Sequence, residues 1–153
     1  QQILAVVKAR PNEFPAISKN RWTLLLDGIQ DPGNLGSIIR IADWFGIAAI
    51  YCTPETADHY NTKVVLATMG SLWRVPVYYG DCKALLSKAM VPVYGTLLEG
   101  GNIFAGGILA PGIIVIGSEG QGIHPSILPF ITKAITIPKL GHAESLNAAV
   151  AAG

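Results

Sequence analysis

The chain has 153 residues, half of them hydrophobic, with 14% charged side chains and a formal net charge of +1. That is material for one well-buried core and too little for two ordinary domains, and a charge content below the roughly 25% of an average soluble protein excludes disorder and implies extensive burial, with room for a subunit interface. No apolar run reaches about 20 residues and no cationic stretch leads into a hydrophobic one at the N-terminus, so neither a membrane span nor a signal peptide is supported and the cytoplasm is the default.

The first segment is locally basic. Lys8, Arg10, Lys19 and Arg21 precede Trp22 with only Glu13 opposing them, which reads either as a stretch near a phosphate backbone or as a solvated linker. Thr23 to Ile29 reads as a buried strand, Leu35 to Phe45 as a helix stopped by Gly46, and Ile47 to Thr53 as a second strand. Asn61 to Met69 is then helical, Val75 to Tyr79 extended, Cys82 to Met90 helical and Pro92 to Thr96 extended. Gly112 to Ile116 is a strong apolar strand, followed by a helical Pro125 to Ile131, an extended Ala134 to Ile137 and an alanine-rich helix that begins near Ser145. This alternation predicts an α/β fold, with a mostly parallel sheet and helices on both faces. Cys52 and Cys82 lack a secretory context and read as buried thiols without chemistry.

In open α/β sheets ligands collect at the carboxyl ends of the strands. Three strands here leave through polar, glycine-bearing segments: Asp31-Pro-Gly-Asn-Leu-Gly-Ser-Ile-Ile-Arg40, Ile116-Gly-Ser-Glu-Gly-Gln-Gly-Ile123 and Ile137-Pro-Lys-Leu-Gly-His-Ala-Glu-Ser-Leu-Asn147. In the third, Pro138 and Gly141 break the strand, and Ser145 and Asn147 stand where a helix start leaves backbone donors free. The dinucleotide fingerprint G-x-G-x-x-G is absent, because Gly28, Gly33 and Gly36 have the wrong spacing, and no G-x-x-x-x-G-K-[ST] occurs. His59, His124 and His142 lack partners at metal-ligand spacing, and Ser118 is not in a nucleophile elbow.

In order and spacing the three segments resemble the motifs of the SpoU family of RNA ribose 2′-O-methyltransferases, within the SPOUT superfamily, over a stretch from about Trp22 to Gly153. The resemblance implies a C-terminal trefoil knot, which no periodicity of the sequence indicates, and S-adenosylmethionine held by the knot loops of a homodimer. It places the cofactor against the backbone at Thr96, Leu97, Gly117, Ile137 and Leu146, where amides and apolar side chains can read adenine without a charge. Glycine at position 117 leaves room for close backbone approach.

The same resemblance assigns Asn34, Arg40, Glu119, Ser145 and Asn147 to catalysis. Methyl transfer from a sulfonium needs no metal, but it needs the ribose hydroxyl aligned, its proton removed and the alkoxide stabilised. Arg40, one turn beyond the Asn34-Leu-Gly36 loop, is expected to position RNA through a bidentate fork; the alternative is a surface pair with Asp43. A guanidinium with a pKa above about 12 is a poor proton acceptor, so the base stays open. Glu119 as a plain loop carboxylate, and Ser145 and Asn147 as plain helix-start residues, are the corresponding alternatives. The implied partner is RNA, ribosomal RNA favoured over transfer RNA by analogy. Residues 1–21, including Ile3-Leu-Ala-Val-Val7, are expected as a linker or the end of a missing N-terminal RNA-binding domain; residues 22–153 form the methyltransferase domain with its last helix cut short. A non-catalytic RNA-binding module of the same fold is the rival reading, against which the joint presence of the five polar residues argues.

Overall fold

The computed structural model describes residues 6, 8, 12–106 and 110–153, so Arg10 and most of the Ile3–Val7 stretch lie outside the described residues. Six strands, β1 (Thr23–Asp27), β2 (Ile50–Cys52), β3 (Val77–Tyr79), β4 (Val93–Asn102), β5 (Ile113–Gly117) and β6 (Lys133–Thr136), form one sheet in the order β3-β2-β1-β5-β4-β6. Every pairing between them is parallel, as the alternation of elements predicts. The helices are α1 (Pro32–Trp44), α2 (Thr62–Ala67), α3 (Cys82–Ser87) and α4 (Ala148–Ala152), with 3-10 turns at Ser71–Trp73 and Leu128–Phe130.

All five residues of β1 are buried, because successive side chains enter cores on opposite faces of the sheet. Leu24 and Leu26 pack with Ile38 and Ile39 of α1, Val64 of α2 and Ala149 of α4, while Leu25 packs with Tyr51, Leu86, Ile113 and Val115. Each such leucine contributes roughly 1.5–3 kcal/mol when fully buried. Among the described residues no helix is long and apolar enough to cross a membrane.

Several boundaries differ from the sequence reading, each for a local reason. Helix α1 starts at Pro32, because Asp31 accepts the Asn34 N–H at 2.7 Å and Pro32 has no N–H to leave unsatisfied. Asn34 and Gly36 are therefore helical rather than part of a loop. Pro125 to Ile131 makes only the short 3-10 turn, in a stretch where Pro125 and Pro129 withhold backbone donors. Strand β4 runs on to Asn102, since β6 resumes pairing after a bulge between Thr96 and Gly101. Gly100 permits that approach: a Cβ there would lie 2.8 Å from the Ala134 carbonyl carbon. Helix α4 begins at Ala148, with Asn147 rather than Ser145 as its cap.

The N-terminal segment also has a place in the fold. Asn12 closes the outer edge of β3, donating to the Tyr79 carbonyl at 2.9 Å and accepting the Tyr79 N–H at 2.7 Å. Phe14 stands edge-on to Tyr51, with ring centroids 5.1 Å apart, and the Tyr51 hydroxyl donates to the Pro15 carbonyl. Burial pushes that hydroxyl up to about 12. The part of the expected linker from Asn12 to Ile17 is thus packed against the sheet.

Candidate active site

The first two polar segments leave adjacent strands, since β1 and β5 pair directly with Asp27 beside Gly117. The third returns from β6, at the sheet edge, to α4, which packs against α1. One carboxylate oxygen joins all three. Glu119 Oε1 accepts from Asn34 Nδ2 at 2.8 Å, from Asn147 Nδ2 at 2.8 Å and from the Ala148 N–H at 3.1 Å. Asn147 Nδ2 also donates to Asn34 Oδ1 at 2.8 Å, and Asn147 Oδ1 accepts the Ala149 and Val150 N–H groups. Glu119 is therefore a clasp between the ends of the chain, with its other oxygen left free of these contacts.

The loop that carries Glu119 is fixed from below. The buried Asp27 accepts the His124 N–H at 2.7 Å, and Ser118 and Gly122 exchange backbone hydrogen bonds of 3.1 and 2.8 Å. Gly117 is needed for this closure, because a Cβ there would meet the Gly122 carbonyl carbon at 2.1 Å and the Ile123 nitrogen at 2.3 Å. The room that glycine provides at this position is filled by the chain's own loop. Neither Asp27 nor this closure is marked by the sequence, where Asp27 reads as the polar end of an apolar run.

Arg40 is not part of the clasp. It lies six residues after Asn34 on α1, about 9 Å along the axis and about 120° around it, and so projects from another face. There it is exposed beside Ile41, Trp44 and Phe45. The alternative pairing with Asp43 does not form: Asp43 instead accepts from Arg74 Nε and Nη2 at 2.8 and 2.7 Å and from the Ser71 hydroxyl. The Arg74 guanidinium, aided by Ser71, holds the Asp43 carboxyl below its usual range. Ser145 is exposed and makes no side-chain hydrogen bond among the described residues.

Thr96 and Leu97 lie within β4 rather than in a loop beyond it, and the Thr96 hydroxyl donates to the Val115 carbonyl at 2.9 Å. Ile137 is half-buried after β6, whereas Leu146 is exposed. Between Ile137 and Leu146 no backbone N–H donates to another described backbone group. From Pro138 to Leu146 the segment is exposed, so its backbone lies open to a ligand. Cys52 is buried and Cys82 lines the neighbouring cleft; burial raises both thiols, that of Cys82 to about 12, so neither is a nucleophile at neutral pH. Among the described residues no three His, Cys, Asp or Glu side chains are placed to hold a metal ion.

A parallel sheet that gathers its polar side chains at the carboxyl ends of central strands is the ligand-binding edge of an open α/β domain. Residues 21–153 match the SpoU rRNA Methylase family, and the chain belongs to that family. It is 36% identical, over 99% of its length, to the 23S rRNA (guanosine(2553)-2′-O)-methyltransferase RlmP of Bacillus subtilis, of which it covers 62%. Among solved structures it resembles a putative RNA methyltransferase of the TrmH family from Porphyromonas gingivalis, with a TM-score of 0.80 and 42% identity over 90% of this chain and 58% of that one. It also resembles the SpoU methyltransferase AviRb from Streptomyces viridochromogenes in complex with AdoMet, with a TM-score of 0.79 and 29% identity over 89% of this chain and 58% of that one. The chain spans less than two thirds of the length of each of these relatives.

Proposed function

We propose that the protein is an S-adenosylmethionine-dependent methyltransferase that modifies a ribose 2′-hydroxyl of RNA, with ribosomal RNA as its substrate class and the cytoplasm as its place of action. The observation that carries this reading is the convergence of Asn34, Glu119 and Asn147, one from each polar segment, on a single carboxylate oxygen. Family membership and the named activities of the relatives support it. The rival non-catalytic module would keep the fold while losing the polar set, and Asn34, Arg40, Glu119, Ser145 and Asn147 are all present.

The residues present fit the cofactor. The exposed backbone between Ile137 and Leu146, with Leu97 and the tight turn after Gly117, would hold it by backbone contacts. When bound, it supplies an electrophilic methyl group on a sulfonium. The chain's own part is to present the hydroxyl. Glu119 and the two asparagines order the segment between β6 and α4, Ser145 stands two residues before the clasp as a free hydroxyl, and Arg40 offers a planar fork to an RNA phosphate. The return of the chain from β6 across the end of β5 to α1 is the path a C-terminal trefoil knot would take.

A homodimer completes the proposal. Trp44, Phe45, Leu66, Met69 and Val150, on or just after α1, α2 and α4, expose between 61% and 84% of their surface, and Trp44 and Phe45 line a shallow depression together with Arg40. A second copy docked there would bury these side chains and bring Arg40 to the site of its partner. The test of the whole reading is calorimetry with S-adenosylmethionine, S-adenosylhomocysteine and NAD, followed by mapping of the methylated position in ribosomal RNA by mass spectrometry. Binding of the first two ligands and ribose O2′ methylation are expected. A methyl group on a base atom would overturn the reaction class, and sedimentation as a monomer at micromolar concentration would remove the dimer.

A further inference from the structure

Away from the clasp, a groove of about 540 Å³ lies between the loop after β2, the 3-10 turn that carries Trp73 and the strand β3. The buried Leu72, Val75 and Val77 line it. So do two large rings that stay half open to solvent, Tyr60 at 44% and Trp73 at 52% exposed.

Tyr60 is held in place from behind. Its ring packs on the His59 imidazole with centroids 3.9 Å apart, and His59 stacks in turn on Tyr79 at 5.3 Å and 19°. Tyr79 is pinned at both ends: its hydroxyl donates to the Ala57 carbonyl and accepts the His59 N–H at 2.9 Å, while its backbone is bonded to the Asn12 side chain. An aromatic face braced in this way and left open to water is a platform for a flat partner, since little side-chain freedom remains to be lost when one lands on it.

Position and charge identify the partner. Pro54 lines both this groove and the larger cleft that Asn34 and Glu119 border, so the groove opens beside the candidate active site. The exits of β5 and β3 are three strand spacings apart, about 14 Å, which a single strand of RNA crosses within a few nucleotides. Asp58, the carboxylate on the groove, already accepts the Tyr60 N–H at 2.9 Å and lies 3.8 Å from His59. Lys8 is the cation there, in a segment where Lys8, Arg10, Lys19 and Arg21 outnumber Glu13. Open aromatic faces beside a basic margin hold an unpaired base by stacking and its phosphate by charge.

We propose that this groove is a stacking subsite that takes one unpaired base of the RNA strand, a few nucleotides from the methylated ribose, against Tyr60 and Trp73 with its phosphate toward Lys8. The inference rests on the RNA methyltransferase reading above and adds where the strand is gripped outside the reacting nucleotide. The volume is within the range of small-ligand sites and has room for one base with its ribose. Because stacking is indifferent to the hydrogen-bonding edge, the subsite contributes affinity and placement of the strand rather than base identity.

The test is a titration of the protein with single-stranded hexaadenylate and with an abasic oligoribonucleotide of the same length, followed by the Trp73 indole N–H and the backbone amide chemical shifts. Hexaadenylate should move the signals of His59, Tyr60 and Trp73, and the abasic oligomer should bind at least about five-fold more weakly. Tyr60→Ala and Trp73→Ala should each weaken hexaadenylate by about five-fold or more, Tyr60→Phe should keep the parent affinity, and Lys8→Ala should flatten the dependence of binding on salt. All four variants should bind S-adenosylhomocysteine as the parent does. Should Tyr60→Ala fail to fold, Trp73→Ala carries the test. Equal binding of the two oligomers, or shifts confined to residues outside the groove, would overturn the proposal. Parent affinity for hexaadenylate in Tyr60→Ala and Trp73→Ala would overturn it too and leave the groove to a protein segment. Failure of the parent chain to bind S-adenosylhomocysteine would instead strike the methyltransferase reading.

Discussion

Asn147 meets Asn34 across 113 positions of sequence, its Nδ2 donating to the Asn34 Oδ1 at 2.8 Å while both side chains donate to the same oxygen of Glu119. With its Oδ1 accepting two N–H groups of α4, the Asn147 amide has every hydrogen-bonding position in use. Two of those contacts build a helix and two close the site. The order of the C-terminal segment and the start of α4 are therefore one event.

That saturation makes the near-isosteric change the more damaging one. Asn147→Ala removes a cap and two donors and should cost roughly 1–2 kcal/mol. Asn147→Asp keeps the cap but sets a second carboxylate against Glu119, and is expected to be the less stable of the two in urea unfolding. An aspartate variant as stable as the parent would mean that the clasp opens in solution.

Gly117 offers a second test. Because a Cβ there would overlap the Gly122 carbonyl carbon at 2.1 Å, Gly117→Val should lower stability, by roughly 1–3 kcal/mol as expected for overpacking, and abolish S-adenosylhomocysteine binding together with it. A glycine that served only for close approach of the cofactor would give lost binding in an undisturbed domain. A Gly117→Val protein with an unchanged melting temperature would favour that role.

Arg40 should separate chemistry from folding. It is exposed and its neighbour Asp43 is committed to Arg74, so Arg40→Ala should leave stability within about 0.5 kcal/mol and cofactor affinity near the parent value while abolishing methyl transfer. Arg40→Lys should fail as well, since an ammonium cannot make the bidentate fork. Retention of most turnover in either variant would remove Arg40 from the reaction.

His59 makes stability depend on pH. Its ring stacks on Tyr79 and packs at a tilt against Tyr60, its Nδ1 is buried without a hydrogen-bond partner among the described residues, and burial lowers its pKa below the ordinary 6.5, with the Asp58 carboxylate opposing. The unfolded chain then binds the proton more readily, so stability rises with pH in this window: the contribution is full above about 6.5 and is lost as pH falls through the folded pKa. The urea midpoint should drop between pH 7 and pH 5.5, and the part of that drop due to this ring should vanish in His59→Phe. Parallel profiles for the two proteins would show that the ring does not titrate differently in the folded state.

The sheet was legible in the amino-acid pattern because its signals are local, and the polar set was legible through the motifs that resemble those of the family. Strands such as β1 and β5, covered on both faces, require uninterrupted apolar runs, and such runs are read without knowing what covers them. Glu119 follows β5, Asn147 precedes α4 and Asn34 lies in the first turn of α1, and all three stand out through the motifs that resemble those of the family. Which side chains meet is settled by packing instead. Asp31 starts α1 at Pro32 and thereby turns Arg40 away from Asn34; the bulged pairing with β6 draws Thr96 and Leu97 into β4; and Asp27 becomes a buried acceptor only when the Glu119 loop folds over it. The clasp exists because the segment after β6 returns across the sheet and buries Ala148 and Ala149 against α1. Hydrogen bonds between residues 28 to 113 positions apart have no signature in local periodicity, since their geometry is set by packing that no single segment contains.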